Sequence, residues 1–193
     1  MRVVWLVLAL LGPTQGLDSS IQAAVQRIRS PLLDSVAHGV TSLVTPKTAL
    51  AVLLAIAVIE PIEGVTVARL AVLSALPANL VVEGLKRTVR RVRPDGNRDP
   101  VNSSFPSSHA ANAFALAAVL ARRWPARRPL FWVIAALIAA SRVVVNRHYA
   151  SDVVVGAALG LASAWTVARW LGPWLVRVAP GPAAWLRGRS PAA

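Results

Sequence analysis

His148 is followed four residues later by Asp152 and preceded six residues earlier by Arg142, itself preceded by Ser141. The flanking stretches LFWVIAALIAA and VVVGAALGLASAW carry no charge. An ionisable side chain at membrane depth costs roughly 2.5–3.5 kcal/mol on insertion scales, so its presence asks for a functional reason. A helix over residues 148–152 would set His148 and Asp152 on one face at i,i+4 spacing. A carboxylate beside an imidazole fixes its tautomer and stabilises its protonated form. Taken alone, the cluster also fits a buried ion pair that only holds helices together.

Two further clusters precede it. Lys86-Arg87-Thr88-Val89-Arg90-Arg91-Val92-Arg93-Pro94 places Lys86 and Arg93 seven residues apart. Two helical turns would bring them to nearly one face, with Pro94 ending the helix. Pro106-Ser107-Ser108-His109 opens the segment AANAFALAAVL and reads as a helix N-terminus. Free backbone N–H groups there bind anions, and the helix dipole adds to the attraction. A basic helix end at a membrane interface and a simple helix cap are the plainer readings of these two clusters. Together the three clusters meet the needs of phosphoryl transfer without a metal. Lys86, Arg93 and Arg142 supply positive charge for the equatorial oxygens. His148 can attack in line, oriented by Asp152, and His109 can protonate the leaving oxygen. His38, the remaining histidine, is given no role.

These residues need a scaffold, and the composition says which kind. Of 193 residues, 55% are hydrophobic and 15% charged, and the mean hydropathy is +0.56. That is too apolar for an ordinary soluble domain and points to a polytopic membrane protein. The absence of cysteine excludes a disulfide framework or a thiolate metal site. The net charge of +13 is carried almost entirely by arginine, with Lys47 and Lys86 the only lysines. No basic soluble domain exists to bring nucleic acid to that charge. Two uses remain, as topology signals beside membrane helices and as phosphate grips.

The expected fold class is all-α, a polytopic membrane bundle of about five core helices plus an N-terminal amphipathic helix. Residues 1–16 read as a signal-like or anchor segment, and 17–46 as an amphipathic interfacial region. Residues 47–172 form the bundle and 173–193 an Arg/Pro-rich tail. Within 17–33, Leu17, Ile21, Ala24, Val25, Ile28 and Leu32 share one helical face. Asp18, Ser19, Gln22, Gln26 and Arg29 share the other. Leu32–Val44 fits an interfacial or a partly spanning helix. The clear apolar segments are Thr48–Ile59, Val65–Val82, Ser107–Ala121, Pro129–Val145 and Ser151–Leu171. Gly156 and Gly160 form a small-xxx-small pair that permits close helix approach. The loop Arg122–Arg128 and the tail are strongly positive and fall on one side by parity, which the positive-inside rule makes cytoplasmic. Loops 84–106 and 146–150 then face outward. Loop 84–106 is basic too, a conflict that a phosphate-binding role resolves.

Lys-x6-Arg-Pro, Pro-Ser-x-His and Ser-Arg-x5-His-x3-Asp, in this order over residues 86–152, resemble the three signature motifs of the type 2 phosphatidic acid phosphatase superfamily. That family includes vanadium haloperoxidases and glucose-6-phosphatase. The resemblance implies that Lys86, Arg93, Ser107 and Arg142 bind phosphate, with backbone N–H groups near Ser108 and His109. It implies His109 as general acid, His148 as the nucleophile that becomes phosphohistidine, Asp152 as its orienting partner, and water as the second acceptor. Ser108 stands where the family often has Gly, and Ala150 where it often has Pro. Arg87, Arg90, Arg91, Arg98 and Arg147 lie outside the motif positions, to attract an anionic headgroup or to remain solvated charge.

No metal or cofactor is expected. The implied partner is a lipid phosphate at the outer face of a bacterial inner membrane: undecaprenyl pyrophosphate, phosphatidic acid, phosphatidylglycerophosphate or a lipid A phosphate. A soluble sugar phosphate is the alternative substrate. A non-catalytic anionic-lipid binder is disfavoured, since binding alone does not need a paired nucleophile and acid.

Overall fold

The structure, a computed structural model, describes residues 14–60, 63–99 and 102–172. The signal-like stretch up to residue 13 and the basic tail from 173 lie outside the described residues. Seven α-helices and no strand occur among the described residues: α1 Gln15–Arg27, α2 Pro31–Ser42, α3 Pro46–Ile59, α4 Glu63–Val89, α5 Ser108–Arg123, α6 Arg128–Val144 and α7 Ala150–Trp170. The five apolar segments correspond to α3 to α7, and the ambiguous Leu32–Val44 stretch to α2.

Helix α5 is the hub, packed against α4, α6 and α7. It can be central because its buried face is small: Ala110, Ala111, Ala113, Ala115, Ala117 and Ala121 are nearly inaccessible. One apolar cluster joins Leu53 of α3, Val67 and Leu70 of α4, Val119 of α5 and Val167 of α7. A second joins Val44, Ala113, Ala117, Ala135 and Ile138. The outer surface is equally apolar, with Leu76, Leu80, Leu130, Leu137 and Val154 exposed, as a lipid solvent requires. Gly64–Val89 and Ala150–Trp170 are each long and apolar enough to cross a membrane. Pro31–Ser42 and Lys47–Ile59, bent by 52°, reach that length together.

The amphipathic stretch is two helices rather than one over 17–33. Ser30 is extended and its hydroxyl accepts from the Leu33 N–H at 3.2 Å, with Pro31 in the first turn of α2. A proline ring is tolerated there and not mid-helix. The faces of α1 are turned in a particular way. Asp18 and Gln22 are buried, whereas Leu17 and Ile28 are exposed. The apolar face is left for lipid, and the polar face meets the protein.

Gly156 and Gly160 bring α7 onto α5 backbone to backbone. A Cβ at Gly156 would collide with the Ser107 carbonyl oxygen, and one at Gly160 with that of Ala111. Gly160→Ala should therefore lower the melting temperature in detergent, costing about 1–3 kcal/mol by overpacking. An unchanged melting curve would show that the two helices are not in backbone contact.

Candidate active site

The site forms where α4 ends, α5 begins, α6 ends and α7 begins. Helix α4 stops at Val89, short of Pro94, because Arg90 takes a left-handed conformation (φ 48°). Arg93 is therefore not on the Lys86 helix face. It reaches the site from a folded loop, where its N–H donates to the Asn97 carbonyl at 3.1 Å and its carbonyl accepts from the Gly96 N–H at 2.9 Å. Gly96 has φ 83°, a conformation that favours glycine. At the start of α5, the Ser107 hydroxyl accepts from the Ala110 N–H at 3.4 Å. The Ser107 N–H donates to the Asp152 carbonyl at 3.0 Å. This tie, with the Gly156 contact, fixes the α5 N-terminus and its first-turn N–H groups against α7.

His148 lies before α7, not within it. Asn146 is left-handed (φ 59°), and the Arg147 and His148 N–H groups both donate to the Arg142 carbonyl, at 3.1 and 3.2 Å. The turn aims His148 inward, where it is almost wholly buried. Its Nδ1 lies 2.7 Å from the Ser104 carbonyl. A carbonyl only accepts, so Nδ1 carries the proton and Nε2 presents its lone pair. Nε2 is 3.4 Å from Arg93 Nη1. Burial first, then the Arg93 and Arg142 guanidiniums, hold the imidazole well below the ordinary histidine value, against a weaker opposing pull from the Ser104 carbonyl. These surroundings favour the neutral ring.

Asp152 is not the direct partner of His148: Oδ2 stands 3.9 Å from Nδ1. Its oxygens are taken by the Ser104 hydroxyl at 2.5 Å, the Tyr149 N–H at 2.8 Å and Arg91 Nη1 at 2.5 Å. Asp152 is therefore linked to His148 through Ser104, whose hydroxyl it holds and whose carbonyl holds the ring.

Lys86, Arg93 and Arg142 lie around His109, although not by the shared helix face that the seven-residue spacing implied. Arg93 is buried and pinned at several points: Nε donates to the Asn102 carbonyl (2.9 Å), Nη2 to Asn102 Oδ1 (2.6 Å) and Nη1 to the Arg147 carbonyl (2.7 Å). Lys86, also buried, reaches Glu83 at 3.2 Å and the Ser108 hydroxyl at 3.5 Å. Arg142 Nη1 donates to Thr41 of α2 at 3.2 Å, while its buried Nε has no protein partner. Half-buried His109 lies within electrostatic reach of Lys86, Arg93, Arg142 and His148. Three cations, one of them with an unpartnered guanidinium N–H, thus gather at a helix N-terminus, an arrangement whose charge complements an anion. His38 is exposed, its Nδ1 spent on the Asp34 carbonyl.

Arg91 was expected as headgroup or solvent-facing charge, and the structure instead half-buries it in a network of carboxylates. Its guanidinium donates to Asp152, to the Ser151 hydroxyl at 2.8 Å and to Asp18 at 2.7 Å, and lies 4.2 Å above the Tyr149 ring. Its carbonyl accepts from the Ser104 N–H at 2.9 Å. Asp18 also accepts from the Ser151 N–H at 2.9 Å, where a carboxylate complements a helix N-terminus. Burial opposes its ionisation, but the Arg91 and Ser151 bonds win and hold the carboxyl below its ordinary value. One turn along α1, Gln22 donates to the Val143 carbonyl at 3.2 Å and Asn146 at 2.6 Å, and Gln26 to the Val144 carbonyl at 3.3 Å. Helix α1 thus caps the end of α6 and the start of α7, on both sides of the turn bearing His148. The available signal was scarcity: with eight acids for 21 Lys and Arg, each buried acid is in demand.

The PAP2 superfamily model matches residues 49–175. The chain belongs to this superfamily. Among curated PAP2 relatives, lipid A 1-phosphatase of Porphyromonas gingivalis is 40% identical over 91 residues, 45% of this chain and 20% of its own. Decaprenylphosphoryl-5-phosphoribose phosphatase of Mycobacterium tuberculosis is 40% identical over 92 residues, 45% of this chain and 51% of its own. The matched region thus spans about half or less of those relatives' lengths. Among solved structures, the transmembrane PAP2-type phosphatidylglycerolphosphate phosphatase of Bacillus subtilis superposes with a TM-score of 0.69 at 28% identity, covering 86% of this chain and 92% of that one. Aquifex aeolicus LpxE gives a TM-score of 0.71 at 23% identity over 80% of this chain and 96% of its own, a likeness of fold. The resemblance drawn from the three motifs and the all-α membrane architecture are both borne out.

Proposed function

We propose that this protein is a membrane phosphatase that removes phosphate from a lipid, without a metal, through a phosphohistidine. The observation that carries it is the state of His148: neutral, Nδ1–H fixed on the Ser104 carbonyl, and Nε2 directed to the pinned Arg93. Nε2 attacks phosphorus as the ester P–O bond breaks, and His109 gives its proton to the departing oxygen. Lys86, Arg93, Arg142, Ser107, Ser108 and the α5 N-terminus hold the equatorial oxygens. Water then attacks phosphorus as the P–Nε2 bond breaks, His109 takes the water's proton, and phosphate leaves with both histidines restored. The site belongs at the outer face of a bacterial inner membrane, opposite the basic Arg122–Arg128 loop.

The names of the relatives favour a lipid A phosphate, a polyprenyl-linked sugar phosphate or phosphatidylglycerophosphate over undecaprenyl pyrophosphate. Phosphate release by the detergent-solubilised protein from these lipids, phosphatidic acid and glucose 6-phosphate, each with EDTA, is the test. Turnover should be greatest on a lipid monoester and should survive chelation. Preference for the free sugar phosphate would sink the lipid reading, and a strict need for a divalent ion would sink the metal-free one.

A further inference from the structure

An apolar cavity lies toward the end of the bundle opposite His148. It is a groove of about 380 Å³ over α5, between α6 and α7. Its lining is mostly apolar: Leu70 of α4, Trp132 of α6, and Leu161 and Trp165 of α7. Arg122 at the end of α5 and Arg128 at the start of α6 stand beside it. Both are exposed, and neither side chain has an ion pair or hydrogen bond among the described residues. Their neighbour Arg123, by contrast, pairs with Glu60 at 2.7 Å. The Ser74 hydroxyl, also in the lining, is fully buried without a protein partner. Ala121 lies twelve residues along α5 from His109, a rise of about 18 Å, so the groove is no part of the phosphate receptor.

We propose that this groove binds one anionic phospholipid of the leaflet opposite the catalytic site. An acyl chain lies along the apolar floor, and the headgroup phosphate sits between Arg122 and Arg128. Three features select that occupant. An apolar channel flanked by tryptophan suits a chain entering at the interface. Two guanidiniums without carboxylates suit a phosphate, which they can grip in a bidentate way. An orphaned hydroxyl in the lining meets an ester carbonyl, which a free phosphate ion would not bring. The claim does not depend on the phosphatase reading, because the groove shares no residue with that site.

Native mass spectrometry of the full chain, reconstituted with phosphatidylglycerol or phosphatidylcholine at matched concentration, tests it. Phosphatidylglycerol should be retained on the protein, and phosphatidylcholine much less. Arg122→Gln with Arg128→Gln should weaken retention about tenfold or more, at roughly 1 kcal/mol for each cation. Arg127→Gln removes an exposed charge from the same loop but outside the groove lining, and should leave retention unchanged. His148→Ala should also leave it unchanged, which separates this site from the catalytic one. Equal retention of both lipids, or equal loss from the Arg127 variant, would overturn the proposal. So would displacement of the retained phosphatidylglycerol by inorganic phosphate alone.

Discussion

Replacing His148 by alanine should abolish phosphate release, lowering turnover by about three orders of magnitude or more, as loss of a nucleophile does, with the protein still folded. The fold should tolerate it because the imidazole makes few structural bonds: Nδ1 to the Ser104 carbonyl and a long contact to Arg93. Ser104 keeps its ties to Arg91 and Asp152 without the ring. The same site fixes a pH response. Because the folded-state value lies well below the ordinary one, His148, the proposed nucleophile, should be neutral at neutral pH. As pH falls, kcat/KM loses His148 only below that depressed value, since kcat/KM reports the free enzyme. A pH profile of the wild-type protein on a lipid monoester, with His148→Ala as the blank, checks both points. Substantial turnover in the variant would remove His148 as the nucleophile. An acid limb centred above pH 6.5 and assigned to His148 by direct titration would show that the cationic surroundings do not act as described.

Apolar runs made most helix ends legible to within a few residues, although α4 runs seven residues past Val82 to Val89. Pro129–Val145 is α6 over Arg128–Val144, and Ser151–Leu171 is α7 over Ala150–Trp170. Residue type likewise singled out His109 and His148, which lie close to Lys86, Arg93 and Arg142. What the sequence hid were contacts carried by irregular backbone. The Lys86 and Arg93 pairing looked like two turns of one helix, but left-handed Arg90 breaks it. The four-residue step from His148 to Asp152 looked like an i,i+4 face, but the helix begins only at Ala150. Periodicity also showed that α1 has two faces without saying which one meets protein. In lipid the apolar face can stay outside, so the polar face, with Asp18 and Gln22, was free to turn inward. For the same reason Arg91 could not be told from its exposed neighbours. Its partners come from α1 and α7, 73 and 61 residues away.

Arg91 should prove the most sensitive residue that never touches substrate. Its carbonyl holds the Ser104 N–H, and its guanidinium holds Asp152, which in turn holds the Ser104 hydroxyl. Ser104 is thereby fixed at both N–H and hydroxyl, and its carbonyl sets the tautomer and aim of His148. Arg91 also bridges to Asp18, so α1 joins the same network. Removing the side chain would strand two buried carboxylates, a loss of about 3–5 kcal/mol for a broken buried pair. Arg91→Ala is therefore liable to unfold, and Arg91→Lys is the informative change. Lysine keeps the charge but lacks the planar fork that serves Asp18, Ser151 and Asp152 together. Turnover should fall about 10–100-fold, the size usual for loss of a group that orients a reactive ligand, while KM stays within about threefold. Ser104→Ala, which keeps the carbonyl but frees it from Asp152, should shift kcat in the same direction. Asp18→Asn should weaken the tie to α1 and lower the melting temperature more than it lowers kcat. A purely structural role predicts a different pattern: Arg91→Lys would lower the melting temperature and leave kcat of the surviving folded protein intact. A rise in KM equal to the fall in kcat would instead place Arg91 on the phosphate.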